Sequence, residues 1–241
     1  MIRPTAARLR AIPESQEFSA SITENFNTPA TAGNVLTTYS TSLDAYDNGG
    51  QYQQSNLTVH DGTLDIHLNT DGTGAAVVFG RVVSHGVGAM TGQIYGRFTM
   101  RFMVTGGANH GAAGILWPSS DVWSEGELDY PEGDFASTIN VFHHPTPCDP
   151  TNTGAGGLPN CSSSDSLDTG ALWTAWHTTS VEWTPSWVRY SLDGEVVKTL
   201  TTWIPSTNHR FMIQTAKTSG TVPVADGHLL IDYYSIDTYN G

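Results

Sequence analysis

A two-sheet antiparallel β-sandwich or jelly roll is the fold class that the sequence predicts, on three observations. Helical periodicity is nearly absent, whereas apolar residues recur at every second position. Asp-Gly pairs at 61–62, 71–72, 193–194 and 226–227 punctuate short β-rich runs in the manner of hairpin turns. With 25 Gly and 12 Pro among 241 residues, the chain turns too often for long helices and suits many short strands.

From the N-terminus, residues 1–18 carry basic residues without a continuous apolar run. They read as a poorly ordered lead-in to a single domain, 19–241, since sandwiches of this length are routinely undivided. The clearest strand is "QIYGRFTMRFMV". Ile94, Phe98, Met100, Phe102 and Val104 share one face, and Gln93, Tyr95, Arg97, Thr99 and Arg101 take the other. Residues 143–170 show no strand pattern, and loops of that length inside compact domains are functional or disordered. Cys148 and Cys161, the two cysteines of the chain, flank its Gly- and Pro-rich part. Too few further ligands surround them for a metal site, which favours a disulfide over free thiols and points to an exported, extracellular protein. A net charge of −13 argues against nucleic acid and anionic membrane surfaces, and leaves a neutral or cationic partner. No run approaches the roughly 18 apolar residues of a membrane span. A monomer is expected.

The segment "WSEGELDYPEGDF" holds the densest acidic cluster. On a regular strand Glu125, Glu127 and Asp129 point to one face and Glu132 to the other. Pro131 belongs at an edge or a bulge, and a one-residue bulge at Tyr130–Pro131 returns Glu132 to the face of Glu127 and Asp129. Two glutamates so placed can approach to about 5 Å, the separation found in retaining glycosidases. Three carboxyls that close cannot all ionise freely, so at least one pKa should rise, as a general acid requires. Spacing alone leaves a solvated acidic strand or a cation site open, and leaves Glu125 a rival of Glu127.

"GELDYPE" resembles the E-x-D-x-x-E signature of family 16 glycoside hydrolases, the laminarinase, lichenase and agarase group, in its bulged form. "TENFN", "VHDGTLDIHL", "YGRFTMRFMV", "WHTTSVEWTPSWVRYSLDGEVV" and "HLLIDYYSIDTY" resemble other strands of that family in its order. Ser124 and Tyr130 depart from its usual residues. The resemblance implies a concanavalin-like jelly roll with an open cleft on its concave face, and a secreted endo-acting enzyme that cleaves β-linked polysaccharide with retention. It makes Glu127 the nucleophile, Glu132 the general acid/base and Asp129 the residue that tunes the nucleophile, with no cofactor for catalysis. A neutral β-1,3-glucan is the first substrate expected and mixed-linkage β-1,3-1,4-glucan the second; agarose-type hydrolysis, transglycosylation and a lectin-like module are the alternatives.

Other positions take roles around this centre. Trp117 and Trp123, just upstream of the carboxylates, read as sugar-stacking platforms or as core, and Trp183 as core. Gln214 alternates with apolar neighbours and reaches toward the cleft. By resemblance one of His143 and His144 contacts substrate, and His177 is structural or catalytic. Asp232 matches a ligand of a structural calcium, aided by backbone carbonyls near Gly62, with a buried, hydrogen-bonded aspartate as the alternative. Sequons stand at 56–58 and 160–162.

Overall fold

The computed structural model describes residues 17–80, 92–146, 161, 164–218 and 223–241. Cys148, Asn160 and Ser162 of the second sequon, and residues 1–16 of the expected lead-in lie outside the described residues. In chain order the first strands are β1 (Phe18–Glu24), β2 (Leu43–Tyr46), β3 (Leu57–His60), β4 (Thr63–Leu68), β5 (Ala76–Phe79), β6 (Gly96–Gly106) and β7 (His110–Pro118). There follow β8 (Leu128–Asp134), β9 (Thr138–His143), β10 (Asp165–Leu172), β11 (His177–Trp183), β12 (Val188–Leu192), β13 (Glu195–Leu200), β14 (His209–Lys217) and β15 (Gly227–Tyr239). They form two antiparallel sheets, as the alternation predicts. One runs β13-β12-β11-β6-β15-β4-β3, with β1 also on β15; the other runs β10-β9-β8-β7-β14-β5-β2. Strand β15 pairs along one edge with β6 and shares its other edge between β4 and β1.

The core fills the space between the sheets because each strand turns one face inward. Phe98, Met100, Phe102 and Val104 of β6 are all buried, and Leu116, Phe211 and Ile213 of the second sheet join the same cluster. Two predicted faces of β6 need correction. Ile94 is 41% exposed, because Tyr95 takes a positive φ and the strand begins only at Gly96. Arg97 and Thr99 are buried despite their polarity, since Arg97 pairs with Asp237 and the Thr99 hydroxyl meets that of Ser180. Phe18, the last residue of the expected lead-in, is buried in β1, its ring 5.7 Å from that of Tyr239.

Asp61-Gly62 and Asp193-Gly194 turn tight hairpins with positive φ at both residues, the conformation that matches strand twist. Asp226-Gly227 does not turn a hairpin. Gly227 opens β15, and a Cβ there would stand 2.1 Å from the Gly107 amide nitrogen. Close backbone approach, rather than turn geometry, requires that glycine. No helix among the described residues is long and apolar enough to cross a membrane.

Phe102 is fully buried and packs on Trp173 at 5.3 Å between ring centroids. Phe102→Ala is expected to remove about 3–5 kcal/mol of stability, measurable by urea denaturation; a loss under about 1 kcal/mol would mean that the core collapses around the missing ring.

Candidate active site

Strand β8 carries the acidic cluster. Against β7, Leu128 faces Leu116, Asp129 faces Ile115 and Glu132 faces Ala113, so Tyr130 and Pro131 together oppose the single residue Gly114. On the other side Asp129 faces Phe142 and Glu132 faces Asn140, leaving Val141 alone opposite the same pair. The bulge that proline required is therefore present, and the Tyr130–Pro131 peptide is cis. Gly114 makes it possible: a Cβ there would stand 2.7 Å from Pro131 Cδ and 3.0 Å from the Tyr130 carbonyl oxygen. Leu116 and Leu128 belong to the core, whereas Ala113, Ile115 and Trp117 pack in a separate cluster on the outer face of this sheet. By register, Asp129 and Glu132 both stand on that outer face, and Glu127 joins them one residue before Leu128.

The local electrostatics follow from crowding. One acidic oxygen each from Glu127 and Asp129 and a ring nitrogen of His144 lie within 4.8 Å of one another. Trp123 donates its indole N–H to Glu127 Oε2. His144 Nε2 is 3.1 Å from Asp129 Oδ2, and its Nδ1–H donates to the Cys161 carbonyl at 2.6 Å. A carbonyl only accepts, so Nδ1 carries a proton and Nε2 is the nitrogen turned to the carboxylate. Burial pushes the Asp129 pKa well up, and Glu127 and Glu132 add to the rise while His144 opposes it. Burial lowers the His144 pKa, but Asp129 and Glu127 outweigh it and raise the imidazole to about 9. Burial also raises Glu127, opposed by His144, Trp123 and Asp129. Asp129 Oδ1 is buried with no donor partner among the described residues. A side-chain hydrogen bond from Asp129 lowers the Glu127 pKa, so a proton retained on Asp129 favours an ionised Glu127 near the His144 imidazolium. Glu132 is raised to about 7 by burial and by the Glu127 charge.

Beside Glu132 a cavity of about 230 Å³ is lined by Gln51, Tyr52, Ala113, Gln214 and Lys217, among others. Gln214 is thus where the alternation of β14 predicted it, with Tyr52 donating its hydroxyl to Gln214 Oε1 at 3.0 Å. On the same face Trp117 packs against an apolar floor of Tyr46, Val78, Ile115 and Met212. Its indole N–H donates to Asp121, which also pairs with Arg210. Sequence reasoning passed over Arg210 and Tyr46. Counting back by twos from Gln214 finds Arg210 on the same face of β14, whereas Tyr52 sits in a loop and carries no such signal.

Several expected placements change. Glu125 lies not on the strand but in a 3₁₀ turn, Trp123–Glu125, and Gly126 with φ 114° separates it from Glu127. Trp123 orients a carboxylate and is not simply a platform. His143 is fully buried on the core side, held by the Tyr190 hydroxyl and the Trp203 carbonyl, and burial depresses its pKa to about 4. His143 is therefore turned into the core, away from the carboxylates, and His144 is the histidine that stands beside them. Trp183 is core, as expected, and His177 is bound to Asp193 in the opposite sheet. Calcium at Asp232 does not fit the residues present. Asp232 is paired with the Arg101 guanidinium, itself stacked on Trp176, so a second cation there would meet a fixed positive charge. Gly62 serves the β3–β4 hairpin turn instead.

No family model matches the chain, and no curated protein matches its sequence. Solved structures do resemble it across nearly its whole length. The laminarinase catalytic domain from Thermotoga maritima shares 15% identity over 94% of this chain and 100% of its own, with a TM-score of 0.68. The laminarinase from Rhodothermus marinus shares 17% over 93% and 98%, with a TM-score of 0.67. SCLam, a non-specific endo-β-1,3(4)-glucanase from family GH16, shares 16% over 94% and 93%, with a TM-score of 0.70. At such identities the likeness establishes the fold, a jelly-roll sandwich of the kind these glucanases have.

Proposed function

We propose that the protein is a retaining endo-β-glucanase of glycoside hydrolase family 16, acting on β-1,3-glucan first and mixed-linkage β-1,3-1,4-glucan second. One observation carries the reading: the β8 bulge sets Glu132 on the face of Glu127 and Asp129, at the edge of an open cavity. The names of the similar structures support it, being laminarinases and a β-1,3(4)-glucanase. In this scheme Glu127 attacks the anomeric carbon while Glu132 gives its proton to the departing glycosidic oxygen. Glu132 then takes a proton from water, which opens the glycosyl-enzyme ester with a second inversion. Asp129 and Trp123 hold the Glu127 carboxylate in its attacking orientation, and the His144 imidazolium favours its ionised form. Trp117, over its apolar floor, offers a flat face to a sugar ring, and Gln214 a polar contact beside it. A Cys148–Cys161 disulfide belongs to the same scheme, since Cys161 is buried and its carbonyl fixes His144. It implies an oxidising, extracellular setting.

The experiment that tests the reading is a polysaccharide panel (laminarin, lichenan, agarose, carrageenan, galactan) assayed for new reducing ends. Laminarin is expected to react fastest, and absence of activity on both glucans would overturn the proposal.

The pH profile follows from the two glutamates. Glu132 must keep its proton, so kcat/KM is expected to fall as pH rises through about 7. Glu127 must lose its own, so a second fall is expected on the acid side, above the ordinary carboxylate range. Activity that still climbs at pH 9 would exclude Glu132 as the acid.

Glu132→Gln is expected to lower kcat by about 10²–10⁴-fold and Glu127→Gln by at least as much, with the fold unchanged by circular dichroism. Azide rescue of the corresponding alanine variants, on a substrate with a good leaving group, should give a retained glycosyl azide for Glu132 and an inverted one for Glu127. Glu125→Gln should keep near-normal rates; a dead Glu125→Gln beside an active Glu127→Gln would reverse the assignment.

Gly114→Ala changes no chemical group, yet its Cβ would press on Pro131. Displacing Glu132 by this route is expected to reduce kcat on laminarin by about 10²-fold while the protein remains folded. Full activity in the variant would show that Gly114 does not hold the bulge in its working geometry.

A further inference from the structure

We propose that His67, Asp226 and His228 form a binding site for a divalent transition-metal ion of the zinc type, on the sheet opposite the catalytic carboxylates. His67 of β4 and His228 of β15 face each other in register. Their flanking residues Ile66, Leu68 and Leu229 are buried, which turns both imidazoles to the outer surface. The rings lie nearly parallel, 17° apart in plane, with centroids at 5.1 Å. Asp226, one residue before β15, accepts from or pairs with His67 Nε2 at 2.8 Å. One ligand atom from each of the three lies within 4.8 Å of the other two. Tetrahedral zinc with ligand bonds near 2.0–2.1 Å places ligand atoms roughly 3.4 Å apart, so modest side-chain rotation closes the site.

The surroundings of His228 are those of a metal ligand. Its Nδ1 is 2.8 Å from Asp65 Oδ1. A carboxylate accepts, so Nδ1 carries the proton and Nε2 keeps the lone pair that a metal takes. Asp65 is itself buried, and its second oxygen is held by His60 Nε2 at 2.8 Å. Two imidazoles and one carboxylate suit zinc, copper or nickel better than calcium or magnesium, which prefer oxygen donors alone. The three side chains are 39%, 60% and 40% exposed, so an ion can reach them, and three protein ligands leave a further position for water. Occupancy would tie β4 to β15. The Asp226 carbonyl already accepts from the Gly107 amide, so the ion would also brace the turn that follows β6.

Titration of the metal-free full chain with zinc, in competition with a chromogenic chelator, tests the site. One ion per chain is expected to bind, with binding lost in both His67→Gln and His228→Gln. Asp65→Asn is expected to weaken it by about 10–100-fold. Hydrolysis of laminarin should not change in either histidine variant, since neither touches the carboxylates. The proposal is overturned if the wild type takes up no zinc at micromolar concentrations. It is equally overturned if both histidine variants bind as the wild type does, or if binding disappears instead in Glu127→Gln, which would place the ion on the Glu127, Asp129 and His144 cluster.

Discussion

The extra residue in β8 is the constraint on which the site depends. Strand side chains alternate, so Glu127, Asp129 and Glu132 would divide between core and surface on an unbroken strand. Setting Tyr130 and Pro131 against one residue of β7 shifts the phase by one and puts all three carboxyls on the outer face. Tyr130, the residue that absorbs the shift, turns its ring into the core, edge-on to Tyr190 at 5.7 Å between centroids. The neighbouring strand yields the necessary space through the missing side chain of Gly114. Catalytic geometry and packing thus share one irregularity, and neither can be altered alone.

Once gathered, the carboxyls are kept from mutual repulsion by protons rather than by solvent. Burial and proximity favour a proton on Asp129, and the His144 imidazolium offsets the charge left on Glu127. Glu132 sits at the end of this series with its pKa raised to about 7 by burial and by the Glu127 charge beside it. The acidity of each group is set by the state of the next. Further out, Asp121 is relieved by Arg210 and by the Trp117 indole. The acidic run that looks so costly in sequence is partitioned among distinct partners.

Much of this was legible in the chain. Strict alternation in "RFMIQ" and "GRFTMRFMV" identified strands and their inward faces, and Pro131 in a strand context implied the bulge. What escaped had physical reasons. Alternation says nothing about ends, so Ile94 and Glu125 were carried past the points where positive φ at Tyr95 and Gly126 stops the strand. Adjacent histidines were ambiguous in parity until the bulge fixed the phase, and only then did His143 fall to the core and His144 to the carboxylates. Resemblance suggested an ion ligand at Asp232, whereas its partner, Arg101, lies on β6, far away in sequence. Long-range pairing of charge is invisible to any local pattern.

The order of the strands also bears on how the chain acquires its shape during synthesis. In one sheet β15 separates β6 from β4 and β1; in the other β14 separates β7 from β5 and β2. Within each sheet the strands made first are therefore joined to those made in the middle through a strand made last, β15 or β14, in residues 209–239. Until these leave the ribosome, the hydrogen-bonding edges of β4 and β5 lack the strands that cover them in the finished fold. Such wide sequence separation between partners slows folding and prolongs the exposure of unpaired edges to other chains. A nascent chain of this design depends on delayed, near-simultaneous closure of both sheets, and for most of its elongation its best defence against sticking to its neighbours is its own negative charge.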